Sequence, residues 1–215
     1  MITRRSSRLV FNFEQWMLMN KLIKIYDDNI PSAQIKQFWL EQMNLPLKMR
    51  YRAIAVNQLM QSWAKMPSAL FQTSPDFLSF SKYDQSLIFD RSITCVQNMV
   101  NSLIFRSMKF YDDPICFATG KSMFGTVTTV SKQIFDSDAN FMKISLSIMM
   151  FSTIDYTNHR DSSMKTMENP DRLWATQEKY IEVAWRYLLY RYNDQYAVKS
   201  FLNLVRYSLV AIRTQ

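Results

Sequence analysis

Residues 84–110 read DQSLIFDRSITCVQNMVNSLIFRSMKF. Apolar side chains fall at Leu87, Ile88, Phe89, Ile93, Val96, Met99, Val100, Leu103, Ile104, Phe105, Met108 and Phe110, almost all round a helical period. A helix that is apolar on every face has to be covered on every face. The stretch therefore predicts one long central helix, or two abutting ones, with other helices packed on both sides. Asp112-Asp113-Pro114 ends it, because proline disfavours helical backbone in the residue before it and has no N–H to donate. Ile115, Cys116 and Phe117 then make a short strand candidate, Gly120 the turn, and Ser122-Met123 the return: one small hairpin near residues 115–123.

Composition points the same way. The 215 residues include only two glycines and six prolines. All-β and dinucleotide-binding folds need many tight turns, where glycine supplies positive φ, so the expected class is all-α. At 48% hydrophobic, with no Pro/Gly/Ser-rich linker, the chain reads as one domain over residues 10–215. Fifteen methionines and fifteen phenylalanines make a soft interior that fills a core as readily as it lines a cavity. Cys95 and Cys116 are too few for a disulfide framework or a structural zinc site and suit a reducing compartment. No apolar run reaches the roughly 18 residues of a membrane span, and no secretory leader is evident, so no membrane partner is expected. The formal charge of +8 is dispersed, which does not by itself indicate nucleic-acid binding. Residues 1–9 form a basic lead with Arg4, Arg5 and Arg8, read as a hinge remnant, a localisation signal or a solvated terminus.

Other helices are predicted from spacing over 10–25, from Pro31-Ser32 to about Met43, over 49–65, 126–135 and 138–154, and from Tyr196 to Arg213. Asn169-Pro170 opens another, to about Arg191, since asparagine caps well and proline suits the first helical position. Its expected inner face is Tyr180, Val183, Ala184, Tyr187 and Leu188. Pro67 and Pro75 are read as bracketing a loop. The total is eight or nine helices in three layers.

Chemistry is sparse. His159 is the single histidine and sits in a polar loop. There is no Gly-rich phosphate loop, no HExxH and no CxxC pair. Asp112-Asp113 reads either as half of a paired-carboxylate site or as a helix-ending turn. Nothing supports an enzyme, a cofactor or a metal site.

Three stretches carry a resemblance. Trp63-Ala64-Lys65 is followed by FLSFSKYDQSLI at 77–88, with Phe77, Phe80, Asp84 and Gln85 in register. Arg106-Ser107-Met108 is followed by ICFATG at 115–120. Asn169-Pro170 leads to QEKY at 177–180, Tyr187, YRYNDQ at 190–195, Phe201 and Ala211-Ile212-Arg213. In this order they resemble the ligand-binding domain of nuclear receptors, most like the retinoid X receptor and ultraspiracle branch.

The resemblance implies a three-layer antiparallel helical sandwich, nuclear localisation and a role in transcription regulation. It also implies a pocket for an acidic lipid, fatty-acid or retinoid-like, with Arg106 holding the carboxylate and the Ala118 amide assisting. Trp63, Met99, Leu103 and Phe117 would be wall residues. A guanidinium fork suits a carboxylate bidentately. Read from the residues alone, Arg106 caps the central helix or pairs with Asp112 or Asp113 equally well. The resemblance further implies a coactivator groove at Lys65, Gln85 and Arg91. It places a dimer interface with another nuclear receptor at Phe201, Leu204, Val205 and Arg206.

The pattern also departs from the family. Seven extra residues, Ser68–Ser74, precede the Phe77 segment, and Asp90 stands where a supporting basic residue is usual. The chain ends at Gln215, short of the dimerisation helix's end and of the activation helix, and two cysteines cannot supply the zinc-bearing DNA-binding domain. Ordinary coactivator recruitment is therefore expected to be defective, with DNA reached only through a domain outside this chain. A helical interaction scaffold with a filled pocket is the alternative reading.

Overall fold

The computed structural model describes residues 11–29, 32–50, 64–107, 138–152 and 166–213, with 52, 54, 55, 58 and 61 between them. The described residues are overwhelmingly helical and contain no strand. The elements are α1 (Phe13–Asn29), α2 (Ser32–Met43), a 3₁₀ turn (Leu47–Met49), α3 (Met66–Thr73), α4 (Pro75–Leu78), α5 (Lys82–Ser107), α6 (Ala139–Met150), α7 (Pro170–Arg191) and α8 (Asp194–Arg213). The all-α class holds. The hairpin expected near 115–123 and the helix expected over 126–135 lie outside the described residues, as do eight of the seventeen residues of 49–65.

Local chemistry explains most helix starts. Asn12 and Gln15 cap each other before α1: the Gln15 N–H donates to Asn12 Oδ1 at 2.8 Å, and the Asn12 N–H donates to Gln15 Oε1 at 3.2 Å. This reciprocal arrangement satisfies two otherwise orphaned backbone groups. Asn169 caps α7 by accepting the Arg172 N–H at 3.1 Å, and Pro170 occupies the first turn, as the sequence predicts.

The 67–75 segment corrects the expectation of a loop. Pro67 and Pro75 each sit in the first turn of a helix, α3 and α4. There the missing N–H costs nothing and the fixed φ is already helical. The Ser68–Ser74 insertion is thus mostly α3, which buries Leu70 and Phe71. The Phe71 ring meets Phe77 and Phe89 edge-on, both at 5.1 Å.

The helix buried on nearly every side is not the one expected. In α5, the long apolar stretch, Ser86, Asp90 and Thr94 form an exposed stripe, while Cys95, Val96, Met99, Val100 and Ile104 face the core. Thus α5 is amphipathic, and its partly covered Phe89 and Ile93 fall between the faces. Helix α6 is the central one. Nine of its twelve residues are buried, because it packs against α1, α5 and α7. Lys143, one of its less buried residues, reaches Asp27 of α1 at 2.6 Å. Helix α8 lies on α7 and touches α5.

Candidate functional site

The signature pair Asp84-Gln85 sits in the first turn of α5, and both side chains are buried. Asp84 accepts the backbone N–H of Glu168 at 2.9 Å on one oxygen and of Asn169 at 3.2 Å on the other. Gln85 donates its amide to the carbonyl oxygens of Phe80 at 2.8 Å and Leu78 at 3.1 Å, and accepts Lys82 Nζ at 3.2 Å. The pair is a structural joint: it binds the α4–α5 turn and the start of α7. An amide engaged in this way is held inside the chain and is not displayed at its surface. Lys65 is exposed immediately before α3, and Arg91 is half-buried on α5.

A second carboxylate hub follows from the fold. Asp138 caps α6 through Oδ1, which accepts the Asn140 and Phe141 N–H groups at 2.8 and 3.0 Å. Its Oδ2 accepts the hydroxyls of Tyr187 at 2.8 Å and Tyr192 at 2.9 Å, with Arg191 Nε at 3.4 Å. Burial, then this hydrogen bond to an anion, pushes the Tyr187 hydroxyl well above the usual tyrosine range. A third hub is Asp76 of α4, which takes Lys179 Nζ at 2.8 Å and the Tyr180 hydroxyl, both from α7. Burial raises its carboxyl, and the hydrogen bonds from Lys179 and Tyr180 more than offset that, leaving it below the usual carboxylate range. The capping role of Asp138 was legible as an acid before an apolar run. Its tyrosine partners, 49 and 54 residues away, were not.

Arg106 lies in the last turn of α5 and is half-buried. A cation there complements the negative end of the helix dipole. Met99 and Leu103, two expected wall residues, belong to the continuous hydrophobic core. Trp63, Phe117 and Ala118 lie outside the described residues, as do His159 and Asp112-Asp113. Among the described residues no cluster of histidine, cysteine and acidic side chains could hold a metal ion, and no helix is long and apolar enough to cross a membrane.

Two faces are open. One is a cavity of about 570 Å³ between α1 and α7, lined by Gln15, Leu18, Lys21, Lys179, Glu182 and Arg186 among others. The second runs along α8. That helix turns Ala197, Ser200, Leu204, Tyr207 and Ser208 inward, while Val198, Leu202, Val205 and Leu209 stay about half exposed on another side. Of the expected dimer residues, Val205 and Arg206 are exposed, whereas Leu204 is buried. Phe201 is turned toward the core, its ring 5.6 Å from Phe141 and 5.4 Å from Trp185. Helical phase explains the split: residues one position apart point about 100° apart.

No protein-family model matches the chain, and no characterised protein matches it in sequence.

Proposed function

We propose that the chain is a dimerising helical module of the nuclear-receptor ligand-binding type, acting in the nucleus in transcription regulation. The single observation that carries this reading is the α8 stripe. Val198, Leu202, Val205 and Leu209 follow a 4-3-4 spacing, the spacing of a helix–helix seam, and remain uncovered in the single chain. Covering each half-exposed Val or Leu gains about 1 kcal/mol. A partner of the same type, identical or related, supplies the matching stripe. The packing of α1, α5 and α7 around α6 is compatible with a three-layer antiparallel sandwich, the arrangement this reading expects. The ligand it expects is an acidic lipid whose carboxylate meets Arg106.

A second reading is favoured by a different observation. Val96, Met99, Val100 and Ile104 are all but inaccessible, as in a filled interior. On that reading the module works through protein contacts alone and carries no lipid.

Sedimentation velocity tests the first reading: the purified chain should dimerise, and the Leu202→Glu/Val205→Glu variant should sediment as a monomer with an unchanged circular dichroism spectrum. A monomeric wild-type chain at high micromolar concentration would sink it. Native mass spectrometry then separates the lipid-bound form, with a bound mass lost in Arg106→Ala, from the filled one, with none.

A further inference from the structure

We propose that the surface built by the end of α2 and the adjoining 3₁₀ turn binds an acidic amphipathic segment of a partner protein. Leu40, Leu47 and Ile54 are 65%, 61% and 74% exposed, and Met43, Leu45 and Met49 in the same stretch of chain are also exposed. So many large apolar side chains within fifteen residues exceed the scatter of single exposed hydrophobes on an ordinary surface.

This surface is held in shape. Arg50 donates from Nε to the Leu45 carbonyl at 2.9 Å and from Nη2 to the Met43 carbonyl at 2.9 Å. The Met49 N–H reaches the Pro46 carbonyl at 2.8 Å, and the Leu45 N–H reaches that of Gln42 at 3.1 Å. The guanidinium thus satisfies carbonyls at the end of α2 and folds the turn back beside it. The exposed Leu and Met side chains are presented by a bonded turn.

Charge selects the occupant. Lys36, Lys48 and Arg52 are exposed in the same stretch, and Glu41 is the single acid over residues 32–52. The Glu41 carboxylate already accepts the Gln37 amide at 2.8 Å. In Leu45-Pro46-Leu47-Lys48-Met49-Arg50 apolar and cationic groups interleave, complementary to a helix that mixes apolar and acidic positions. An anionic bilayer is the poorer match. Lipid-binding clusters carry about four to eight cations, whereas three here are exposed and a carboxylate stands among them. The inference is independent of the family reading and of the α8 seam.

Fluorescence anisotropy tests it, with a labelled helical peptide bearing leucines on one face and glutamates on the other. The controls are the same peptide with lysines for glutamates and phosphatidylserine vesicles as a second probe. The acidic peptide should bind, weaken with added salt, and weaken about tenfold or more in both Leu40→Ser/Leu47→Ser and Lys48→Glu/Arg52→Glu. These positions are exposed, so unchanged thermal melts separate lost binding from lost folding, and the conservative Leu40→Met/Leu47→Met variant should keep the affinity that Leu40→Ser/Leu47→Ser loses. The proposal is overturned if the acidic peptide does not bind, if the basic peptide binds as well, if neither variant weakens binding, or if the vesicles bind and the peptide does not.

Discussion

The carboxylate of Asp84 accepts the backbone N–H of Asn169 at 3.2 Å, across 85 residues of chain. Asp84 opens α5 and Asn169 caps α7, so one buried side chain ties two helix starts together. The resemblance singled out both residues, and the contact supplies a physical reason for each. Removing the carboxylate leaves two part-buried backbone donors without their acceptor. Asp84→Ala is therefore expected to cost about 3 kcal/mol, a fall in Tm of roughly 6–12 °C for a domain of this size. Asp84→Asn, which keeps one acceptor oxygen, should lose less. Differential scanning calorimetry decides it: a loss below about 1 kcal/mol in the alanine variant would show that this joint is not important.

Asp138 should be the other sensitive acid. It caps α6, the central helix, and takes the Tyr187 and Tyr192 hydroxyls. We expect Asp138→Ala to cost about 2–4 kcal/mol in urea unfolding, and Tyr187→Phe about 1 kcal/mol. In the double variant the Tyr187 loss should largely vanish, since its acceptor has already gone. Full additivity would mean that the two groups act independently.

Alkaline pH should destabilise the fold. Burial is the main cause that raises the hydroxyls of Tyr26, Tyr180 and Tyr187. The carboxylates of Asp27, Asp76 and Asp138 respectively add to it. A folded-state pKa above the unfolded value, about 10, gives stabilisation that is complete below that value and is lost as pH rises through the folded one. Tm should therefore decline steadily above about pH 10, with these three tyrosines ionising only on unfolding. Absorbance at 295 nm beside circular dichroism checks this: complete tyrosine ionisation in a chain that keeps its native spectrum would contradict it.

Acid acts through Asp76 with the opposite sign. Its folded-state value lies below the ordinary carboxylate range. The associated stabilisation is thus present above about pH 4 and lost as pH falls through the folded value. Lys179→Met should flatten the decline in Tm between about pH 4 and 2. Identical acid profiles in the variant and the parent would remove Asp76 from the account.

Truncating Met99 separates a filled interior from a ligand cavity. A fully packed Met replaced by Ala typically loses about 2–5 kcal/mol. We expect a loss in that range, because Met99 has no accessible surface. A loss under about 1 kcal/mol, with a newly bound lipid in native mass spectrometry, would favour the cavity.

Helicity, the cap at Asn169, the inner face of α7 and the reach of α8 were all written in local patterns. The glycine shortage, the 3.6-residue spacing and Asn-Pro at a helix start act within a few residues of chain. The Pro67 and Pro75 helices were open to the same logic, since proline marks a helix start as readily as a loop. The choice between those two depends on what the following residues bury, and Leu70 and Phe71 bury well. Which helix becomes central was not local. The run at 84–110 is longer than α6, yet α6 takes the middle because its neighbours cover nearly all of it, burying nine of its twelve residues, while α5 keeps Ser86, Asp90 and Thr94 in water. The partners of Asp84, Asp138 and Asp76 were likewise hidden. Each carboxylate is stabilised by donors 49 or more residues away, and a side-chain period carries no record of which distant helix will meet it. The sequence by itself determined where helices start and which stripes are apolar. The tertiary structure decided which stripes meet, because burial depends on all neighbours at once, and it left the α8 and α2 faces uncovered.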